Sequence, residues 1–407
     1  MTTASVGLAE RPAHVPADRV VDWDLGAPDG ASEGPVAAYQ RLADGPDLLW
    51  TPRNGGHWVV TRAEDIEYLQ KHADPFSMRR VTLPEEGRPP VLPLELDPPL
   101  HTQYRTVINS FFTPRAIKAL QEEARVLAID LIEGFKHRGR CEFVSEFAQQ
   151  LPISIFMKMV DQPIADAPRL LRLAESAVRP KGAGDRVEAH KAMQAYLRDV
   201  IAARRSHPGE DLLSAVVSAE IDGQPIQDGE LMGMLTTIMF GGLDTVATSL
   251  ALGAQYLAQH PDKRRQLIER PELIANATDE ILRLAGPSST ARTLTRDFEL
   301  HGVLLKAGDK VLVKPLIHSL DPRKFADPAE MDWERPALER SYAVFGNGPH
   351  RCPGATLARS EMRIFLDEWL ARIPEFTVDP DEDCVYGYGM VSGLLKLPLV
   401  WDPASVR

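Results

Sequence analysis

The stretch Phe345-Gly-Asn-Gly-Pro-His-Arg-Cys-Pro-Gly354 is a glycine-rich loop that runs straight into a helical pattern. Beyond it Ala358, Met362, Phe365, Leu366, Trp369 and Ile373 recur at the spacing of one buried helix face, with Pro353 suited to the first turn and Pro374 to the end. Cys352 therefore stands at a helix N-terminus. The helix dipole, free backbone N–H groups and Arg351 there favour an ionised sulfur, the form in which a thiol binds a metal. A lone cysteine is more often a small buried hydrophobe; it is the loop around Cys352 that points to a ligand. The other two cysteines, Cys141 and Cys384, are too few and too scattered for a disulfide framework or a cysteine-rich zinc site, so a reducing cytoplasm is expected.

Upstream of the loop the pattern alternates over Leu294 to Leu300 and Val303 to Val313, with a turn at Ala307-Gly308-Asp309, which predicts a small sheet. Before Gly286-Pro287 helical patterning dominates back to Pro99, broken at Pro180 to Gly184 and at Asp222-Gly223. The longest helix expected runs from Asp228, as its cap, to His260 before Pro261, and it is apolar on nearly all sides, hence a core helix. A proline-rich loop covers Pro84 to Pro99. Near the N-terminus Asn54-Gly55-Gly56 between two apolar runs predicts a hairpin, and Thr61 with Glu64 a capping box opening a helix.

Three side-chain constellations stand out. Gly241-Gly242-Leu243-Asp244-Thr245 lies inside the long apolar helix, where each glycine costs roughly 1 kcal/mol against alanine. An acid beside an alcohol in a core helix breaks a second local rule, and such breaks mark functional sites; the plain alternative is tight packing at the glycines and a threonine bonded back to its own helix. Glu280 and Arg283 share a helix face, as an ordinary surface pair also would. His101 and Arg105, four apart after Asp97-Pro98-Pro99, offer two cationic groups on one face, suited to carboxylates or simply to solvent.

The 407 residues carry 46 basic and 58 acidic side chains, a formal charge of −12 that argues against a nucleic-acid partner. No linker or charge block divides the chain. A flexible tail is expected over residues 1–20 and a single domain over 21–407. Met1 to Val20 lacks the apolar run of a signal peptide and no later segment is expected to reach transmembrane length, so neither export nor a membrane anchor is expected.

Phe345, Gly348, His350, Cys352 and Gly354 match the signature F-x-x-G-x-(R/H)-x-C-x-G, and the chain thereby resembles the cytochrome P-450 superfamily. The likeness runs from Asn54-Gly-Gly-His-Trp58 to Val391-Ser-Gly-Leu-Leu-Lys-Leu-Pro-Leu-Val-Trp401 and is strongest to the bacterial camphor 5-monooxygenase family. It implies a mainly α fold with small β-sheets, a triangular prism-like single domain whose long central helix lies over haem b. Cys352 would ligate the iron; His101, Arg105, Arg292 and His350 would hold the propionates. Gly241 would leave room for dioxygen, with Asp244 and Thr245 organising protons and water and Arg179 pairing with Asp244. Glu280, Arg283 and Arg335 would form a buried structural triad.

A thiolate ligand favours O–O cleavage, so the resemblance implies insertion of one oxygen atom into a C–H bond, with the other leaving as water. The chain has no flavin or nicotinamide fingerprint and no iron–sulfur cysteine set, and the family implies a 2Fe-2S ferredoxin with a separate reductase, docking near Arg105 and Arg351, and a monomer. Pro89, Thr237, Phe240, Gly241, Ser288 and Val391 would line the substrate pocket. Pro89 stands where the camphor enzymes carry a roof tyrosine, and its lack of a hydroxyl removes a donor to a ketone; Phe240 replaces a smaller residue and would reshape the floor. The expected substrate is a compact terpenoid or ionone-like ketone. Two rivals make different predictions: a gas sensor or electron-transfer protein would show no substrate-dependent NADH use, and a helical scaffold would be colourless.

Overall fold

Helical periodicity cut by prolines and glycines governs most of the molecule. The computed structural model describes residues 8–407 except 86, 183, 337, 339 and 340. The helices are α1 (Pro35–Ala43), α2 (Ala63–Lys71), α3 (Leu100–Asn109), α4 (Pro114–Phe135), α5 (Gln150–Met159), α6 (Ala167–Val178) and α7 (Asp185–Ser206). They continue with α8 (Leu212–Val217), α9 (Asp228–Leu243), α10 (Thr245–Gln259), α11 (Pro261–Glu269), α12 (Ile274–Ala285), α13 (Pro315–Ser319) and α14 (Ala355–Arg372). The expected mainly helical architecture with small sheets is what forms.

The expected long helix exists but breaks at Asp244, whose backbone leaves helical geometry at φ −131°. Its cap is Gln227, which forms a capping box with Glu230, one residue before the expected Asp228. Contrary to the sequence expectation, Asp228–Gln259 is long and apolar enough to cross a membrane by length and composition; yet 67% of its most apolar window is buried within the protein. The helices around it do the covering: α5, α6, α7 and α8 pack on α9, while α12 and α14 pack on α10.

The main sheet has the strand order Leu48–Thr51, His57–Val60, Lys310–Val313, Thr290–Leu294, Phe76–Ser77. The hairpin turn at Asn54 to Gly56 forms as read, with all three residues at positive φ. Within this sheet His57–Val60 and Lys310–Val313 run parallel, and the other neighbouring strands antiparallel.

Other local expectations are overridden by distant partners. Thr61 donates its hydroxyl to the Pro46 carbonyl at 2.9 Å and does not cap α2; the Ala63 amide is capped instead by Asp321, 2.8 Å away. Pro353 precedes α14, which has Gly354 as its N-cap. The flexible tail expected to residue 20 differs as well: residues 1–7 lie outside the described residues, but Ala9 N–H bonds Pro52, His14 reaches Asp309 at 2.8 Å, and Val15 is 1% exposed. Burial of Val15 and sharing of Asp309 with Trp58 hold this segment on the hairpin.

Glu280 and Arg283 are no surface pair. Both are completely buried and joined by two hydrogen bonds of 2.8 Å, and Arg335 Nε adds a third partner at 3.0 Å. The remaining Arg283 donors reach the carbonyls of Ser319, Pro328 and Glu330. The Arg283 guanidinium also lies 5.0 Å over the Phe325 ring, which packs with Leu338, Tyr342 and Phe345. Through that small cluster the triad supports the loop that carries Cys352.

Candidate active site at Cys352

The cysteine loop is shaped by hydrogen bonds and by absent side chains. Cys352 N–H donates to Phe345 at 2.7 Å and Arg351 N–H to Gly348 at 2.9 Å, and Gly346 takes φ +80°. A side chain on Gly348 would lie 2.2 Å from the Gln70 carbonyl, so only glycine lets the loop rest on α2. Cys352 is solvent-accessible although protein surrounds it densely enough for burial to raise its pKa. Both hold for a sulfur on the wall of an internal hollow. The Gly354 amide, Arg105 and Arg351 do favour the thiolate, as read from the sequence, but burial outweighs them for the free thiol; a cationic metal reverses that balance.

Beside this loop lies a basin of donors. The His101 and His350 rings are 3.9 Å apart, and among the described residues none of their four ring nitrogens has a hydrogen-bond partner. Burial lowers the pKa of His101 to about 4, and burial with the neighbouring His101, Arg292 and Arg105 pushes His350 lower still. Arg292 is buried and pushed down to about 10; its contacts are the Thr290 hydroxyl at 2.9 Å and the Ala291 carbonyl. Asp97 is an acid whose charge His101 and Arg292 feel, and it already accepts from Ser77 and Met78. Arg105 is held by Asn109 at 2.7 Å and by the Arg351 carbonyl, which ties it to the cysteine loop. Orphaned buried donors with so little negative charge fit a ligand that brings its own carboxylates. An iron porphyrin with a free thiol beside it meets that description.

The two glycines of α9 separate the packing reading from the functional one. A Cβ on Gly242 would meet the Phe156 ring at 2.3 Å, whereas one on Gly241 would meet nothing within 4 Å. Gly242 is therefore a packing glycine and Gly241 borders open space. We expect Gly242→Ala to lower the melting temperature, overpacking of this kind costing about 1–3 kcal/mol, and Gly241→Ala to melt no lower than wild type; thermal denaturation followed by circular dichroism checks both.

Asp244 Oδ2 accepts from Arg179 at 2.5 Å, both side chains buried, so the expected pair is in place. Among the described residues, two nitrogens of Arg179 have no partner. The Thr245 hydroxyl makes only a long 3.4 Å contact to the Gly241 carbonyl, a weak bond that leaves it available.

The residues expected to line a pocket come together in part. Ser288 and Val391 form an antiparallel bridge, and the strand that follows Ser288 carries Arg292. Thr237 spends its hydroxyl on the Gly233 carbonyl at 3.0 Å. Pro89 is exposed, while its neighbour Pro90 lies close against Gly233 of α9, so the proline-rich loop does cover this helix. Phe240 turns its ring edge-on to His190 of α7 at 4.8 Å, which places it between α9 and α7. Sequence reasoning passed over His190 and also Arg88 and Glu95, a buried ion pair with bonds of 2.8 and 3.0 Å that braces the covering loop. Nothing in their local pattern signals burial. A surface cleft of about 460 Å³ between α4, α12 and α14 holds satisfied ion pairs, Arg125–Asp367 and Arg359–Asp279, and offers no comparable set of orphaned groups.

Comparison with known proteins agrees with this geometry. A family model described as cytochrome P-450 matches residues 147–385. The chain is 32% identical over 406 residues to the probable cytochrome P-450 127A1 of Sinorhizobium fredii, covering 96% of each. It is 31% identical to the steroid C26-monooxygenase of Mycobacterium tuberculosis over 94% of this chain and 98% of that one. The solved structure of cytochrome P-450 CYP101C1 matches with a TM-score of 0.87 and 37% identity over 97% of this chain and 100% of that chain. A cysteine on an internal hollow, a basin of orphaned donors and an acid–alcohol break in the core helix thus occur in a chain that belongs to the cytochrome P-450 family and is a haem-thiolate monooxygenase.

Proposed function

We propose that this monooxygenase hydroxylates a compact, mostly apolar terpenoid or ionone-like ketone in the cytoplasm, with electrons from a 2Fe-2S ferredoxin and its separate reductase. The observation that carries the substrate class is the accessible face of the central helix: Thr237, Phe240 and Gly241 of α9, with Thr245 at the start of α10. That face offers an aromatic ring, open space at Gly241 and no charge, which suits a small apolar skeleton held by packing. Ser288 provides a hydroxyl for one carbonyl group.

Haem, when bound, supplies the activation of dioxygen. Cys352 provides the thiolate ligand, and His101, Arg105, Arg292 and His350 hold the propionates. Thr245, with its hydroxyl only weakly engaged, holds water and passes protons to the reacting centre. Asp244, fixed by Arg179, connects that hydroxyl to the protein exterior. Pro89 and its loop exclude solvent from above.

Titration of the ferric protein with terpenoids and ionones, followed by Soret absorption, tests this. A compact apolar ketone should move the band to the high-spin position. If only fatty acids or polar aromatics do so, the substrate class is wrong.

A further inference from the structure

His190 sits on α7 where that helix packs on α9, with its ring against Phe240 at an interplanar angle of 71°. Its Nδ1 is 2.8 Å from the Arg186 carbonyl oxygen. A carbonyl only accepts, so Nδ1 carries the proton. Burial lowers the pKa to about 4, which keeps the ring neutral and leaves Nε2 with a lone pair. That second nitrogen has no partner among the described residues. Unlike the ring nitrogens of His101 and His350, it is not sealed off from solvent either, although the residue as a whole is only 5% exposed.

The tautomer decides what such a nitrogen recognises. With its donor spent on Arg186, the imidazole offers an acceptor alone. The nearby cations cannot readily fill it: Arg88 is paired bidentately with Glu95, and Arg186 directs Nε to the Ala177 carbonyl. Phe240 and the Arg186 bond together fix the ring plane. The result is a rigid, neutral acceptor beside an aromatic residue on the accessible face of α9.

We propose that His190 is a specificity-determining residue: its Nε2 accepts a hydrogen bond from a hydroxyl group of the substrate and so selects terpenoid alcohols over the matching ethers. The inference rests on the accessible face of α9 being the substrate pocket. A carbonyl cannot satisfy Nε2, so any ketone function of the same substrate lies elsewhere, within reach of a donor such as Ser288.

The test uses the ferric holoenzyme and three probes, β-ionol, its methyl ether and β-ionone, with Soret titration as readout. Wild type should bind β-ionol about tenfold more tightly than the ether, the effect of one net hydrogen bond. His190→Phe should erase most of that preference and leave β-ionone binding unchanged. His190→Gln, whose amide oxygen again accepts, should restore part of it; His190→Leu is read like the phenylalanine variant if that variant does not fold. A preference that persists in the phenylalanine or leucine variant overturns the role of His190. So does equal binding of alcohol and ether by wild type while β-ionone still shifts the band, and in both cases the substrate class survives. If none of the three probes shifts the band, the ionone-like class fails and this inference with it.

Discussion

Replacing Cys352 by serine should leave a helical protein that has lost its monooxygenase activity by at least about a thousandfold, equivalent to roughly 4 kcal/mol of barrier. The side chain stands on the wall of a hollow, not inside packed core, so an isosteric exchange removes no packing. The loop keeps its form through backbone bonds from Cys352 to Phe345 and from Arg351 to Gly348. What disappears is the thiolate, the electron-rich ligand that favours O–O cleavage. Far-ultraviolet circular dichroism should match wild type while the Soret spectrum of the reduced, carbon monoxide-bound protein changes. Turnover within tenfold of wild type would mean that another residue holds the iron.

The second large effect is expected far from the chemistry. Glu280→Gln preserves volume but strips the counter-charge from Arg283, which is completely buried, and from the nearly buried Arg335. Breaking a buried pair on one side costs about 3–5 kcal/mol, a large share of the roughly 5–15 kcal/mol that stabilises a typical protein. Because the triad meets the cysteine loop through Phe325, Tyr342 and Phe345, we expect a markedly lower melting temperature accompanied by haem loss on heating. Asp74→Asn, which breaks the exposed pair with Arg296, should leave the melting temperature unchanged. Equal shifts for both variants would show that Glu280 contributes no more than a surface acid.

Much of the candidate site is legible in the sequence because its parts are local. Phe345 to Gly354 places a thiol at a helix start, His101 and Arg105 share a helix face by spacing alone, and Asp244-Thr245 breaks a rule within its own helix. Arg292 and Arg335 needed the family resemblance, since nothing in their neighbourhood announces a partner. The packing and functional roles of Gly241 and Gly242 could not be separated from sequence: adjacent glycines look alike until one meets Phe156 and the other meets nothing.

Glu361 makes the same point. On sequence it is one acid on an α14 face; in the fold it is buried with both oxygens unpartnered and its pKa pushed up to about 8 by burial. His190 likewise reads as a polar residue of a surface helix, and becomes an acceptor beside Phe240 only because α7 packs on α9.

From the amino-acid order alone came the mainly helical class, the hairpin at Asn54 to Gly56, the core position of the Asp228 helix, the ligand loop and the acid–alcohol pair. These depend on periodicity, turn chemistry and charges a few residues apart. Only the tertiary structure decided that Thr61 bonds Pro46 while Asp321 caps α2, that the central helix breaks at Asp244, that residues 9–20 pack down, and which donors are left unsatisfied. Pro46, Asp321 and Pro52 lie 15 to 258 residues from the groups they bond, and the energy of a buried polar group depends on whether such a partner arrives.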